Sequence, residues 1–156
     1  MIRIAAFFGL IVLFSACSSS SVDPEVATPY ALEIPAGFPE PKIPENNPMT
    51  NEGVALGRML YYDSILHPTN QVACATCHIQ SKSFTSTPDV LPHVNLGWSH
   101  RFLWDGAVEG SLEDIMRFEV EDFFQTEVAD LQKSDTYPEL FLKAFGTKEI
   151  NVERIS

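Results

Sequence analysis

The chain has 156 residues, of which 45% are hydrophobic and 20% charged, and its formal net charge is −11. Such an acidic balance argues against nucleic acid as a partner and against docking on anionic lipid headgroups. Three cysteines is an odd count, so at least one thiol needs an explanation other than pairing.

Met1-Ile2-Arg3 is a short positive start, and Ile4 to Phe14 is an apolar run too short to span a bilayer. Ser15-Ala16-Cys17 follows, with small residues directly before a cysteine. This resembles a bacterial lipoprotein signal, with residues 1–16 removed and Cys17 as the lipidation site. A plain secretory signal and an uncleaved anchor are the alternatives. Cleavage removes Arg3 and moves the formal balance from −11 to −12. Residues 17–46 are rich in Ser and then Pro, which cannot hold a helix, so they read as a tether whose later part, from Ile34, lies extended against a folded domain. Residues 47–156 form that domain, large enough for one small core.

Within it, Thr50 is an expected N-cap with Glu52 in the first turn, followed by Val54, Gly57, Leu60 and Tyr61 at helical spacing. Gly57 costs about 1 kcal/mol against Ala inside a helix, which suggests a close approach. Tyr62 to Asn70 reads as a loop leading to Cys74-Ala75-Thr76-Cys77-His78. Two thiols three residues apart with an imidazole directly after the second is the spacing of a c-type haem attachment site. Cys74 and Cys77 would add across the haem vinyl groups, and His78 would supply an axial nitrogen to the iron. Half of a zinc site and a thioredoxin-like pair compete, but there is no second Cys pair and no strong strand pattern. The attachment helix should run from Cys74 to about Gln80. If two cysteines carry haem and Cys17 carries lipid, no thiol is left over.

Ser81 to Gly97, with Pro88 and Pro92, has no period and reads as a loop over the haem. An aromatic-dense segment, Trp98 to Gly106, ends in a turn. Ser111 caps a helix in a capping box with Asp114, and Leu112, Ile115 and Met116 form its apolar face. Thr126 is the expected cap of a helix through Val128 and Leu131. Tyr137-Pro138 opens another, with Leu140, Phe141, Ala144 and Phe145 inward and Gly146 closing it. Asn151 caps a last single turn. One turn is not stable alone, so the sequence reads as cut off within a longer protein.

Asn47-Pro48-Met49-Thr50-Asn51-Glu52-Gly53-Val54-Ala55-Leu56-Gly57-Arg58-Met59-Leu60-Tyr61-Tyr62-Asp63 resembles the opening of bacterial dihaem cytochrome c peroxidases, the group that includes MauG-like proteins. Phe102-Leu103-Trp104-Asp105-Gly106, then Ser111-Leu112-Glu113, resembles the family's Trp-Asp-Gly segment, and Tyr137 to Gly146 its next helix. The resemblance covers about residues 44–156. It implies an all-α, cytochrome-c-like haem domain with long irregular loops, preceded here by the Pro/Ser-rich linker. It also implies a second haem domain beyond this sequence.

In such enzymes one haem reduces hydrogen peroxide, and the other takes electrons from a small c-type cytochrome or cupredoxin. The resemblance thus implies haem c, hydrogen peroxide and such a donor as cofactor and partners, while the lipoprotein-like leader with Cys17 implies a lipid-anchored, periplasmic-side location. Trp104 matches a tryptophan between the haems and is the expected electron relay, with core packing as the plainer alternative. Many members carry, in a longer loop after the haem motif, a displaceable His and an Arg-Asn pair before a Pro beside a bound calcium. Here Val90-Leu91-Pro92 stands in that place, which leaves calcium doubtful. His93 is the nearest candidate distal ligand, with His67 and His100 competing. Ile115 to Asp122 replaces a loop that holds an acid/base Glu, for which Glu119 and then Glu121 are the candidates, against a solvated acidic face. A monohaem electron carrier, with Met49, Met59 or Met116 as a firm sixth ligand, and MauG-like oxidation of a partner protein are the competing functions.

Overall fold

The computed structural model describes residues 27–156. The apolar leader and Cys17 lie outside the described residues. The fold is mostly helical. Helix α1 (Asn51–Tyr62) starts as expected: Thr50 is extended and its hydroxyl accepts the Gly53 N–H at 3.0 Å. Leu56 and Leu60 are its buried residues. Gly57 is exposed, and a Cβ there would meet nothing within 4 Å, so the expected close approach is absent and the glycine simply faces outward. At the helix end Asp63 Oδ1 accepts the Ile65 N–H at 3.0 Å, capping a 3-10 turn, Ser64–Leu66, that buries Leu66.

Helix α2 is the single turn Cys74–Cys77, shorter than the expected run to Gln80. His78 caps it, and a separate 3-10 turn, Gln80–Lys82, follows. The break comes from Ser83 and Phe84, both left-handed at φ 58°, which fold the chain back so that Ile79 and Thr85 bridge. Two non-glycine residues in that region cost free energy, and such a turn persists only where its surroundings fix it. A short antiparallel pair, β1 (Arg101–Phe102) and β2 (Val108–Glu109), departs from the all-α expectation.

Helix α3 (Leu112–Phe118) has the expected capping box, with the Ser111 N–H donating to Asp114 Oδ2 at 2.7 Å and the Asp114 N–H to Ser111 Oγ at 3.4 Å. Its buried residue is Ile115; Leu112, expected on the inner face, is exposed. A π turn, Glu119–Phe123, extends α3 and buries Val120. Thr126 does not cap α4 (Val128–Lys133): its hydroxyl donates instead to Leu66 O at 2.8 Å, fastening this stretch to the turn after α1. Helix α5 (Tyr137–Phe145) opens with Pro138 in its first turn and closes on left-handed Gly146. Asn151 caps α6 (Val152–Ile155).

Helices α1 and α5 pack together around Leu56, Leu60, Tyr137 and Phe141, with Leu131 and Val120 closing the centre. The Tyr137 hydroxyl donates to Asp63 Oδ2 at 2.7 Å and joins the start of α5 to the end of α1. The segment ahead of α1 lies along this core. Thr28 N–H and Oγ–H donate to the two carboxylate oxygens of Glu52 at 2.8 and 3.0 Å, and the Asn51 N–H donates to Thr28 O at 2.8 Å. The bonds from Thr28, its N–H foremost, and the Glu52 backbone N–H hold the Glu52 carboxyl below its usual range. Further along, Phe38 meets Trp98 edge-on at 4.8 Å, and the Trp98 Nε1–H donates to Pro39 O at 2.8 Å.

Candidate functional site

The one-turn helix α2 puts Cys74, Cys77 and His78 on one side of the backbone, since positions i, i+3 and i+4 share a helix face. Both thiols are free; Cys74 is half-buried against the core and Cys77 is exposed. Burial, and then the nearby Glu119 carboxylate, push the Cys74 thiol up to about 11. A thiol held protonated is unlike the depressed pair of a thioredoxin-type site. Among the described residues no group of three or more His, Cys, Asp or Glu side chains is placed to hold a metal ion, so the two thiols gain no partners for a closed zinc site.

His78 Nδ1 lies 2.9 Å from Phe84 O. A carbonyl only accepts, so Nδ1 carries the proton and Nε2 keeps its lone pair, the tautomer that a metal-binding imidazole needs. The left-handed pair Ser83–Phe84 aims that carbonyl. Two free thiols and a preset imidazole within five residues fit a covalently attached haem. Exposed apolar surface borders the same loop. Val94 and Tyr62 are each 49% exposed, and an open depression of about 720 Å³ lined by Tyr62, Ala75 and Ile79 flanks the motif.

His93 lies against His78. The two imidazoles stack with centroids 3.5 Å apart and planes 20° from parallel. Its Nδ1 is 3.1 Å from the Tyr61 hydroxyl. Burial, then the neighbouring His78, lower its pKa to about 4 and keep it neutral. His67 is engaged by Thr69 and meets Phe124 edge-on, and His100 is exposed. Trp104 is 69% exposed, and its Nε1–H donates to Asp89 O at 2.9 Å. Of the two candidate acids, Glu119 is half-buried within electrostatic reach of Cys74 and its carboxyl is raised by that burial, whereas Glu121 is exposed.

Sequence reasoning missed Tyr61 and the Phe84 carbonyl. A backbone acceptor has no side-chain signature, and Ser-Phe is not the Gly- or Asn-bearing pair that marks left-handed backbone. Tyr61 was legible as an apolar helix position, but its hydroxyl was the unread signal.

A family model for di-haem cytochrome c peroxidase matches residues 51–156. The chain is 34% identical over 137 residues to methylamine utilization protein MauG of Methylorubrum extorquens, covering 74% of this chain and 37% of that protein. It is 31% identical over 134 residues to the MauG of Methylophilus methylotrophus, covering 72% and 39%. The chain thus spans under two fifths of the length of these curated relatives. A crystal structure of a MauG-like protein associated with microbial copper homeostasis superposes with a TM-score of 0.66 at 24% identity, covering 81% of this chain and 45% of that one, a likeness of fold.

Proposed function

This chain belongs to the di-haem cytochrome c peroxidase family, and from that premise we propose that it is the haem-bearing N-terminal part of an exported oxidoreductase that reduces hydrogen peroxide. Cys74 and Cys77 would hold haem c through thioethers, and His78 would ligate its iron through Nε2. The observation that carries this reading is the His78 Nδ1–H bond to Phe84 O, which leaves Nε2 free one residue past the second thiol.

When bound, the haem supplies an iron centre that accepts and passes on single electrons. The residues of the chain orient and shield it. Glu119, whose carboxyl is raised by burial, would hold or move a proton near the motif. Trp104, exposed and fixed by its indole N–H, offers an aromatic contact for electron exchange with a second haem domain or a small donor such as a c-type cytochrome or cupredoxin. Lipid on Cys17 and a periplasmic-side location complete the reading.

Oxidation of a partner protein, as in MauG-like function, is the second reading, favoured by the two relatives named MauG. Expression with a haem-attachment system tests the core claim. Wild-type protein should carry haem that survives denaturation, and the Cys74→Ser/Cys77→Ser variant should lose it; equal covalent haem in both would refute attachment. Reduced protein should bind carbon monoxide. A locked six-coordinate haem that ignores both carbon monoxide and peroxide would instead identify a simple carrier.

A further inference from the structure

Two residues meet the His78 ring, Phe84 and His93, and Tyr61 stands behind them. Phe84 O accepts from His78 Nδ1 at 2.9 Å and from the His93 backbone N–H at 3.4 Å. The His93 imidazole covers one face of His78 at 3.5 Å. Tyr61 completes the set: its hydroxyl is 3.1 Å from His93 Nδ1, and its ring meets Phe84 and His93 edge-on at 6.1 and 6.0 Å. Tyr61 sits one residue past Leu60, a buried core residue of α1, so this arrangement is anchored in the longest helix among the described residues.

We propose that Tyr61 is a positioning residue that, through His93, fixes the plane of the His78 imidazole. The inference rests on the haem reading above. It also assigns His93 a place beside His78 and not opposite it. Two imidazoles bound on opposite sides of one ion point nitrogens at each other, about 4 Å apart with metal–nitrogen bonds of about 2 Å. Rings stacked face to face do not have that geometry. A ring locked by an outer hydrogen-bonded partner keeps one orientation and excludes water from its flank, and both set the properties of the metal it binds.

The test compares haem-loaded wild type with Tyr61→Phe, His93→Ala and the double variant. The midpoint potential and the electron paramagnetic resonance of the oxidised protein, which responds to the imidazole plane, are read for each. Tyr61→Phe and His93→Ala should each lower the potential, because water reaching His78 favours oxidised iron. Each should also broaden the resonance, and the double variant should go no further than His93→Ala. If Tyr61→Phe leaves both readouts unchanged, the clamp is wrong. It is also wrong if the two shifts add, or if His93→Ala alone turns a low-spin iron high-spin, which would put His93 opposite His78. Tyr61→Phe keeps the ring and tests the proposal even where His93→Ala fails to fold. A wild type without covalent haem would overturn the haem reading, whereas an unresponsive haem-loaded Tyr61→Phe overturns the clamp alone.

Discussion

Removing one oxygen atom, by Tyr137→Phe, should measure how firmly the two main helices are joined. Tyr137 is 2% exposed, and its hydroxyl donates to Asp63 Oδ2 at 2.7 Å while Asp63 Oδ1 holds the Ile65 N–H at 3.0 Å. Burial, and then the bond to and charge of Asp63, raise the phenol above its ordinary value, so it stays a protonated donor throughout the neutral range. A hydrogen bond to a charged acceptor is worth about 1.5–3 kcal/mol net. Asp63 is half-buried, so water can reach part of the carboxylate after the change, and the lower half of that range applies, about 1.5–2 kcal/mol. For a domain of this size that is a fall in Tm on the order of 5–10 °C. Urea unfolding of haem-loaded wild type, Tyr137→Phe, Asp63→Asn and the double variant at pH 7 gives the coupling directly. A coupling energy below about 0.5 kcal/mol would refute the reasoning and make the contact incidental.

Gly57→Ala should raise stability by about 0.4–1 kcal/mol, since the helix gains a better former and a Cβ there meets nothing within 4 Å; a lower midpoint in urea would show that something packs on that face after all. The Asp114 carboxyl is held below its ordinary range by the Ser111 N–H and hydroxyl. Its contribution should therefore be fully present above the unfolded aspartate pKa and be lost as pH falls through the lowered folded value, and Asp114→Asn should remove that part of the acid transition. Glu119 runs the other way: burial raises its carboxyl, so the charged form costs stability above the folded pKa, and the cost vanishes below the unfolded one. Glu119→Gln should then stabilise at neutral pH and make no difference at low pH; equal stability at both would count against a desolvated carboxylate.

Caps were the part of the fold best written in the sequence. Thr50, Ser111 and Asn151 each start a helix and Gly146 closes one where their chemistry requires it, because a cap is settled by one residue and the adjacent turn. Thr126 shows the limit. Its hydroxyl had the same local option and went to Leu66 O, sixty residues away, a choice that tertiary packing makes. Periodicity located α1 and α3 but placed Gly57 and Leu112 on the wrong side, since a helix pattern fixes spacing and not which flank meets the core. The π turn at Glu119–Phe123 and the hairpin at Arg101–Glu109 left no readable pattern, one being an irregularity inside a helix and the other two residues per strand. At the site, Cys74, Cys77 and His78 were legible because the attachment chemistry dictates their spacing. The relation of His93 to His78 was not, because it depends on a left-handed Ser-Phe turn and on a tyrosine hydroxyl thirty-two residues earlier.

The fastening of Thr28 to Asn51 and Glu52 has a mechanical side. Tension arriving along the backbone from before Thr28 meets the Thr28–Glu52 and Asn51–Thr28 bonds first, with the Tyr30 N–H bond to Met49 O behind them. The load enters at the first turn of α1 and meets the core at Leu56 and Leu60 before it reaches Tyr61, at the far end of the helix, and the loop around His78. A catch of this kind works as a strain relief: it yields before the precise geometry behind it is asked to stretch.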